Sequence, residues 1–112
     1  MVNRHRGEII ATLDGREHVL CLTLGALAEL EAAFGAQDLA ALLERFSSSP
    51  LSAGDLLKII AAGLRGGGND VAQERVAQMR AEAGATGFAR IAGELLSATF
   101  GESESEKIAA NP

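Results

Sequence analysis

The segment IIATLDGREHVLCLTLGALAELEAAF, residues 9–34, sets the architecture, because its apolar residues change within it from a strand period to a helix period. Two short apolar runs flank Asp14-Gly15, and an Asp-Gly pair in this position is a strong signal for a β-hairpin. After Thr23 the apolar residues recur at helical spacing, at Leu24, Leu27, Leu30 and Phe34. We therefore predict a hairpin over residues 8–22 that leads directly into a helix over about 24–34, with Thr23 as its N-cap.

Helices are expected to pack against one face of the predicted hairpin but not against the other. A two-residue turn places Ile9 opposite Leu20 on one face and Ile10 opposite Val19 on the other. A two-stranded hairpin alone is marginally stable in water, so one face has to pack against helices. The other face, which also carries Cys21, is partly apolar and has no evident cover. We expect the strand edges to be open, and open edges invite the addition of further strands.

The rest of the chain is predicted to be helical. Apolar periodicity predicts further helices over about 38–46, 53–65, 72–83 and 87–100. Ser52 and Asp55 have the spacing of a capping box, and the helix that they start is the best candidate for a central buried helix. A run of three glycines, residues 66–68, predicts a flexible break, and Gly84 is expected to end the fourth of the five helices.

These elements predict an α+β fold that is mostly α. An N-terminal β-hairpin is followed by about five short helices in one compact domain, residues 7–101. We expect a flexible N-terminal arm, residues 1–6, and a disordered acidic tail, residues 102–112. One domain is the natural count for 112 residues.

Charge and composition exclude several classes of function. The net charge of −5 argues against nucleic acid as a partner, since neutralising phosphates requires clustered Lys and Arg. Trp and Tyr, which stack on bases, are absent from the sequence. No apolar run approaches the roughly 20 residues of a membrane span, so no membrane partner is expected. The single cysteine, Cys21, and the lack of a secretory signal predict a cytoplasmic protein.

The residue types that carry chemistry form no recognisable site. The two histidines, His5 and His18, lack the spacing of metal ligands, and Cys21 has no adjacent base. The glycines at 66–68 are not followed by the Lys and Ser or Thr of a phosphate-binding loop. We therefore expect no catalytic residues, no cofactor and no metal, and predict that the protein is not an enzyme.

Several segments of the chain form a recognisable set: Arg6-Gly7-Glu8, Leu13-Asp14-Gly15-Arg16, Leu20-Cys21-Leu22-Thr23-Leu24-Gly25-Ala26-Leu27-Ala28-Glu29-Leu30-Glu31, Phe34-Gly35, Leu64-Arg65-Gly66, Met79-Arg80 and Gly87-Phe88-Ala89-Arg90-Ile91. These segments closely resemble a protein family that is encoded in gene transfer agents, the phage-like particles of alphaproteobacteria. The resemblance covers nearly the whole chain up to Gly101, and its most specific part is residues 22–34.

The resemblance implies a protein of tail assembly in the bacterial host cell, with two alternative roles. Members are called tail tube proteins, and they also resemble the tail assembly chaperones of long-tailed phages. Tail tube subunits are built around extensive β-sheet, whereas this sequence predicts one hairpin, so the chaperone role is preferred. Its implied partners are the tape-measure protein and the tail-tube protein, with a homo-oligomer also possible. The alternative is a structural tail component, a tube or terminator subunit.

A surface for such partners can be suggested from the sequence alone. The outer hairpin face and the helix at 24–34 are the hypothesised contact or self-association surface: Ile10, Val19, Leu24, Leu27, Glu31 and Phe34. Any one of these residues could instead simply belong to the core. Glu31 falls inside the apolar arc of the helix, so its carboxylate either lies at the edge of the arc or binds a partner. Two further classes, a DNA-binding regulator and an enzyme, lack the basic helix or the catalytic constellation that they require.

Overall fold

The computed structural model describes residues 7–101, which form a two-stranded antiparallel sheet followed by five helices. The strands are β1 (Glu8–Leu13) and β2 (Arg16–Cys21), and the helices are α1 (Leu24–Phe34), α2 (Leu39–Ser48), α3 (Ala53–Gly66), α4 (Gln73–Val76) and α5 (Gly84–Phe100). The predicted mostly α, α+β fold is confirmed. The predicted arm at 1–6 and the predicted tail at 102–112 lie outside the described residues.

The hairpin forms as its turn sequence predicts. Asp14 and Gly15 both have positive φ angles, 55° and 74°, which is the backbone that a two-residue type I′ turn requires. The register places Ile9 opposite Leu20 and Ile10 opposite Val19. The inner face is closed off from solvent, because Ile9, Ala11, Leu13 and Leu20 are at most 4% exposed.

Helix α3 lies at the centre of the molecule and contacts β2, α1, α4 and α5. Its start is fixed by the predicted capping box: the Asp55 N–H donates to the Ser52 hydroxyl (3.1 Å) and the Ser52 N–H donates to the Asp55 carboxylate (3.0 Å). Gly63 brings α5 close, since a Cβ there would lie 2.5 Å from Leu95 Cδ2. The prediction of a central buried helix is confirmed.

The helix ends at the glycine run as predicted, but the break is not a flexible loop, because Gly66, the last residue of α3, and Gly67 pack against β2. A Cβ added at Gly66 would collide with the Cys21 carbonyl, and one added at Gly67 would collide with the Val19 carbonyl. Asn69 Nδ2 then donates to the Val19 carbonyl over 2.8 Å. The loop thus covers the edge of β2.

The edge of β1 is also occupied at the hairpin tip. Leu13 forms an isolated antiparallel bridge with Ala81, and the Asp14 N–H donates to the Arg80 carbonyl over 2.8 Å. The expectation of open strand edges is therefore wrong at these positions. Backbone groups from residues 80 and 81 and the Asn69 side chain form hydrogen bonds with polar groups of the hairpin that an open edge would leave free.

The predicted fourth helix, 72–83, is much shorter in the structure. Helix α4 ends at Val76, and residues 77–83 form the α4–α5 connection, which runs to the hairpin tip. The backbone N–H and C=O of Arg80 both form hydrogen bonds with Asp14, so they are not available for the hydrogen bonds of a longer helix. Gly84 begins α5 instead of ending the preceding helix; it and Ala83 have φ angles of 57° and 70° and turn the chain into α5.

Candidate protein-contact surface

The outer face of the hairpin is the first part of the surface suggested by the sequence. Ile10 is 43% exposed, and its cross-strand neighbour Val19 is half-buried. Thr12 and Glu17 on the same face are exposed. The apolar part of this face is thus small and lies away from the turn, with polar residues nearer the tip.

Helix α1 places its predicted contact residues in different environments. Leu24 is 80% exposed, the highest value among the exposed large hydrophobic residues, whereas Leu27 is 9% exposed and Leu30 1%. The expectation that Leu24 shares the buried arc is wrong. The buried residues of α1 are Ala26, Leu27 and Leu30, and they define its packed face. At about 100° per residue, Leu24 lies roughly 100° around the helix from the centre of that face.

Thr23 and Gly35 fix where α1 begins and ends. The Thr23 hydroxyl accepts a hydrogen bond from the Ala26 N–H over 3.2 Å, and Gly35 adopts the left-handed conformation at the C-terminus. Leu24 is therefore the first helical residue, and its side chain lies near the end of β2. Glu31, two turns further along the same side of the helix, is half-buried.

Phe34 belongs to a cluster that joins α1, α2 and α3. Its ring meets the Phe46 ring edge to face at a centroid distance of 5.2 Å. Two cations lie near the Phe34 ring, with Arg45 Cζ 5.4 Å and Lys58 Nζ 5.1 Å from its centroid. Half-buried Phe34 therefore contributes mainly to this junction and offers only part of its ring to a partner.

Asp55 ties the same cluster to the start of α3. The Ser52 backbone N–H holds the pKa of the buried Asp55 carboxyl below its ordinary value, and the hydrogen bond from Arg45, at 3.2 Å, adds to this effect against the cost of burial. Arg45 Nη1 is buried without a hydrogen-bond partner among the described residues, next to the Phe34 ring. The cluster is thus a structural joint between helices.

An apolar groove that the sequence did not indicate lies between α3, α4 and the start of α5. Its volume is about 320 Å³, and it is lined by Ala53, Gly54, Leu56, Leu57, Ile60, Val76, Ala77, Met79, Ala85 and Phe88. The larger apolar side chains among them occupy positions that helical periodicity assigns to the buried face of a helix, and periodicity alone does not distinguish a core position from a groove wall. Exposed Leu39 and Leu43 on α2 were likewise predicted as apolar positions of a helix.

Within residues 7–101, the His, Cys, Asp and Glu side chains do not form a cluster of the kind that binds a metal ion. No group of three or more His, Cys, Asp or Glu residues there could hold a metal ion. His18 is half-buried, and its Nδ1 has no hydrogen-bond partner in the described part of the chain. Cys21 is half-buried at the end of β2. Among the described helices, none is both long and apolar enough to cross a membrane.

The described residues thus form a small α+β protein with exposed apolar side chains on the hairpin, α1 and α2, and with an apolar groove. The chain matches, over residues 6–102, the model of the family described as "Phage tail tube protein, GTA-gp10", and it belongs to that family. The resemblance to gene transfer agent tail proteins is confirmed. No curated protein and no solved structure gave a match.

Proposed function

We propose that this member of the tail family is a non-enzymatic tail assembly chaperone, which binds the tape-measure and tail-tube proteins before the tube closes. The observation that carries the proposal is the 80% exposure of Leu24, a side chain whose burial against a partner is worth roughly 1.5–3 kcal/mol. The two-stranded sheet of residues 7–101 supports it as well, since it offers little β-structure for a tube wall.

The outer stripe of α1, defined as Leu24, Ala28 and Glu31, supplies the contact. These residues are spaced four and three apart, so they follow one side of the helix. Leu24 and Ala28 are exposed, and Glu31 is half-buried. A partner helix would bury Leu24 and approach closely over Ala28. Glu31 would favour a basic residue on the partner, and Ile10 and Val19 on the outer hairpin face would offer a further apolar contact.

Net charge supports the same role. The net charge of the sequence is −5. A tape-measure protein with apolar surface would become more soluble when many copies of this acidic chain bind along it. The described residues carry few aromatic side chains with which to bury such a partner permanently. Release when the tube assembles is consistent with a contact that depends on few apolar side chains.

The second candidate is a structural tail component, a tube or terminator subunit that remains in the finished particle. The description of the matching family favours it, because that description names a tail tube protein. In this role the exposed apolar residues would join neighbouring copies in a ring. The two roles differ in one observable, which is the presence of the chain in purified particles.

A pull-down from particle-producing cells, with a single surface variant, tests the contact. Leu24→Ser should reduce capture of the tape-measure protein by about tenfold or more if Leu24 is a central anchor. Leu43→Ser is the matched control, because Leu43 is an exposed leucine on α2. Leu24→Ser should unfold within about 0.5 kcal/mol of wild type, and urea unfolding of Leu43→Ser, whose side chain is 37% exposed, checks that this control stays folded. Equal capture by wild type and Leu24→Ser would remove α1 from the proposal.

A further inference from the structure

The α4–α5 connection, residues 77–83, forms one wall of the apolar groove. It contributes Ala77 and Met79 to the lining, opposite Leu57 and Ile60 of α3. Val76, the last residue of α4, is 4% exposed and fixes the start of the connection in the core. Of residues 77–83, Ala77 and Met79 line the groove, so their position sets part of its width.

The hairpin tip is attached to this wall through Asp14 and Leu13. The Asp14 carboxylate accepts a hydrogen bond from the Arg80 N–H (2.9 Å), and the Asp14 N–H donates to the Arg80 carbonyl over 2.8 Å. The same carboxylate pairs with the Arg75 guanidinium of α4 (2.9 Å), next to the start of the wall. Leu13 forms an isolated bridge with Ala81. Asp14 thus supplies the side-chain contact to the middle of a segment that has no regular secondary structure.

The far end of the wall has the backbone of a hinge. Ala83 has a φ of 70°, which a residue with a Cβ rarely adopts, and Gly84 has a φ of 57°. No side chain caps the start of α5 at this point. The connection therefore ends in a conformation that its sequence does not favour, and other contacts have to keep it there.

We propose that residues 77–83 are a movable wall of the apolar groove, that Asp14 clamps this wall closed, and that the wall turns about Ala83 and Gly84. When the clamp is released, the wall moves away from α3 and the groove widens, so that the half-buried side chains of Met79 and Phe88 become more exposed to apolar molecules. The proposal is independent of the role in tail assembly, because both of its measurements use the isolated 112-residue chain.

Hydrogen exchange read by mass spectrometry tests the clamp. Asp14→Gly removes the carboxylate and keeps the positive φ of the turn, so the hairpin can still form. Amides of residues 77–83 should exchange about tenfold faster in this variant, as expected for the loss of one or two hydrogen bonds, while α3 should exchange as in wild type. Asp70→Gly, the same change at another exposed loop residue, should leave both regions unaltered.

A second variant should act in the opposite direction. Ala83→Gly allows the positive φ without a steric cost, so the closed wall should become more populated and exchange at 77–83 should slow several-fold. The fluorescence of the apolar dye 8-anilinonaphthalene sulfonate should rise with Asp14→Gly and not with Ala83→Gly. The proposal is overturned if Asp14→Gly leaves exchange at 77–83 unchanged, or if exchange rises equally throughout residues 7–101.

Discussion

Replacing Gly66 with alanine puts two physical effects in opposition. Gly66 is the last residue of α3, and in an open helical position alanine is favoured over glycine by about 0.5–1 kcal/mol. At Gly66, however, the new Cβ would collide with the Cys21 carbonyl, which is backbone and cannot rotate away. Relief requires the end of α3 to separate from β2, which weakens the cover of the strand edge.

We expect the collision to dominate. Forcing an extra carbon into a packed contact costs about 1–3 kcal/mol, more than alanine gains in helix propensity, so Gly66→Ala should lower the free energy of unfolding by about 1–2 kcal/mol. For a domain of this size that corresponds to a decrease in Tm of roughly 4–12 °C. Urea unfolding followed by circular dichroism measures the difference.

Gly93→Ala is the matched control. Gly93 is an exposed residue within α5, and nothing lies within 4 Å of a Cβ added there. Only the propensity effect remains, so this variant should be more stable than wild type by about 0.5–1 kcal/mol. If Gly66→Ala proved as stable as Gly93→Ala, the close contact between α3 and β2 would be refuted.

Three further predictions concern the core, the capping box and the surface. Leu95→Ala should destabilise the fold by about 2–5 kcal/mol in urea unfolding, because Leu95 is fully buried between α5 and α3. The pKa of Asp55 is lower in the folded protein than its unfolded value near 3.8. Ionised Asp55 therefore stabilises the fold above that pH, and the stabilisation is lost as the pH falls through the folded pKa. Asp55→Asn should have a lower free energy of unfolding than wild type at neutral pH and should lose less of it on acidification. Leu24→Ser should unfold within about 0.5 kcal/mol of wild type, since an exposed side chain contributes little; a larger loss would mean that Leu24 is packed.

Local signals were sufficient where neighbouring residues determine the structure. Asp14-Gly15 predicted the turn, Thr23 predicted the start of α1, and Ser52 with Asp55 predicted the start of α3. In each case the deciding hydrogen bonds or φ angles lie within a few residues of the signal. The register of the hairpin then followed from the length of its turn.

Signals failed where distant parts of the chain meet. Residues 77–83 have a composition compatible with a helix, and what prevents one is a set of hydrogen bonds between Arg80 and Asp14, 66 positions away. The glycines at 66 and 67 suggested flexibility, although they allow a close approach to β2. Leu24 fitted the apolar period, but the packed face of α1 is centred on other residues.

The candidate surface was predictable only in part. Ile10 and Leu24 are exposed as a contact surface requires, whereas Leu27 is buried and Phe34 is held between α2 and α3. The apolar groove could not be read from the sequence, since its lining residues have the same period as core residues. Distinguishing the two requires the positions of α3, α4 and α5 together.

We propose that this tail family protein acts by transient protein contact during assembly. Counting the copies of the chain in purified particles, and the copies bound to tape-measure protein in the lysate of the same cells, tests this role. A chaperone should be present in many copies on the tape-measure protein and absent from the finished particle. A fixed, stoichiometric number of copies in the particle would contradict the proposal and would identify the chain as a structural tail component.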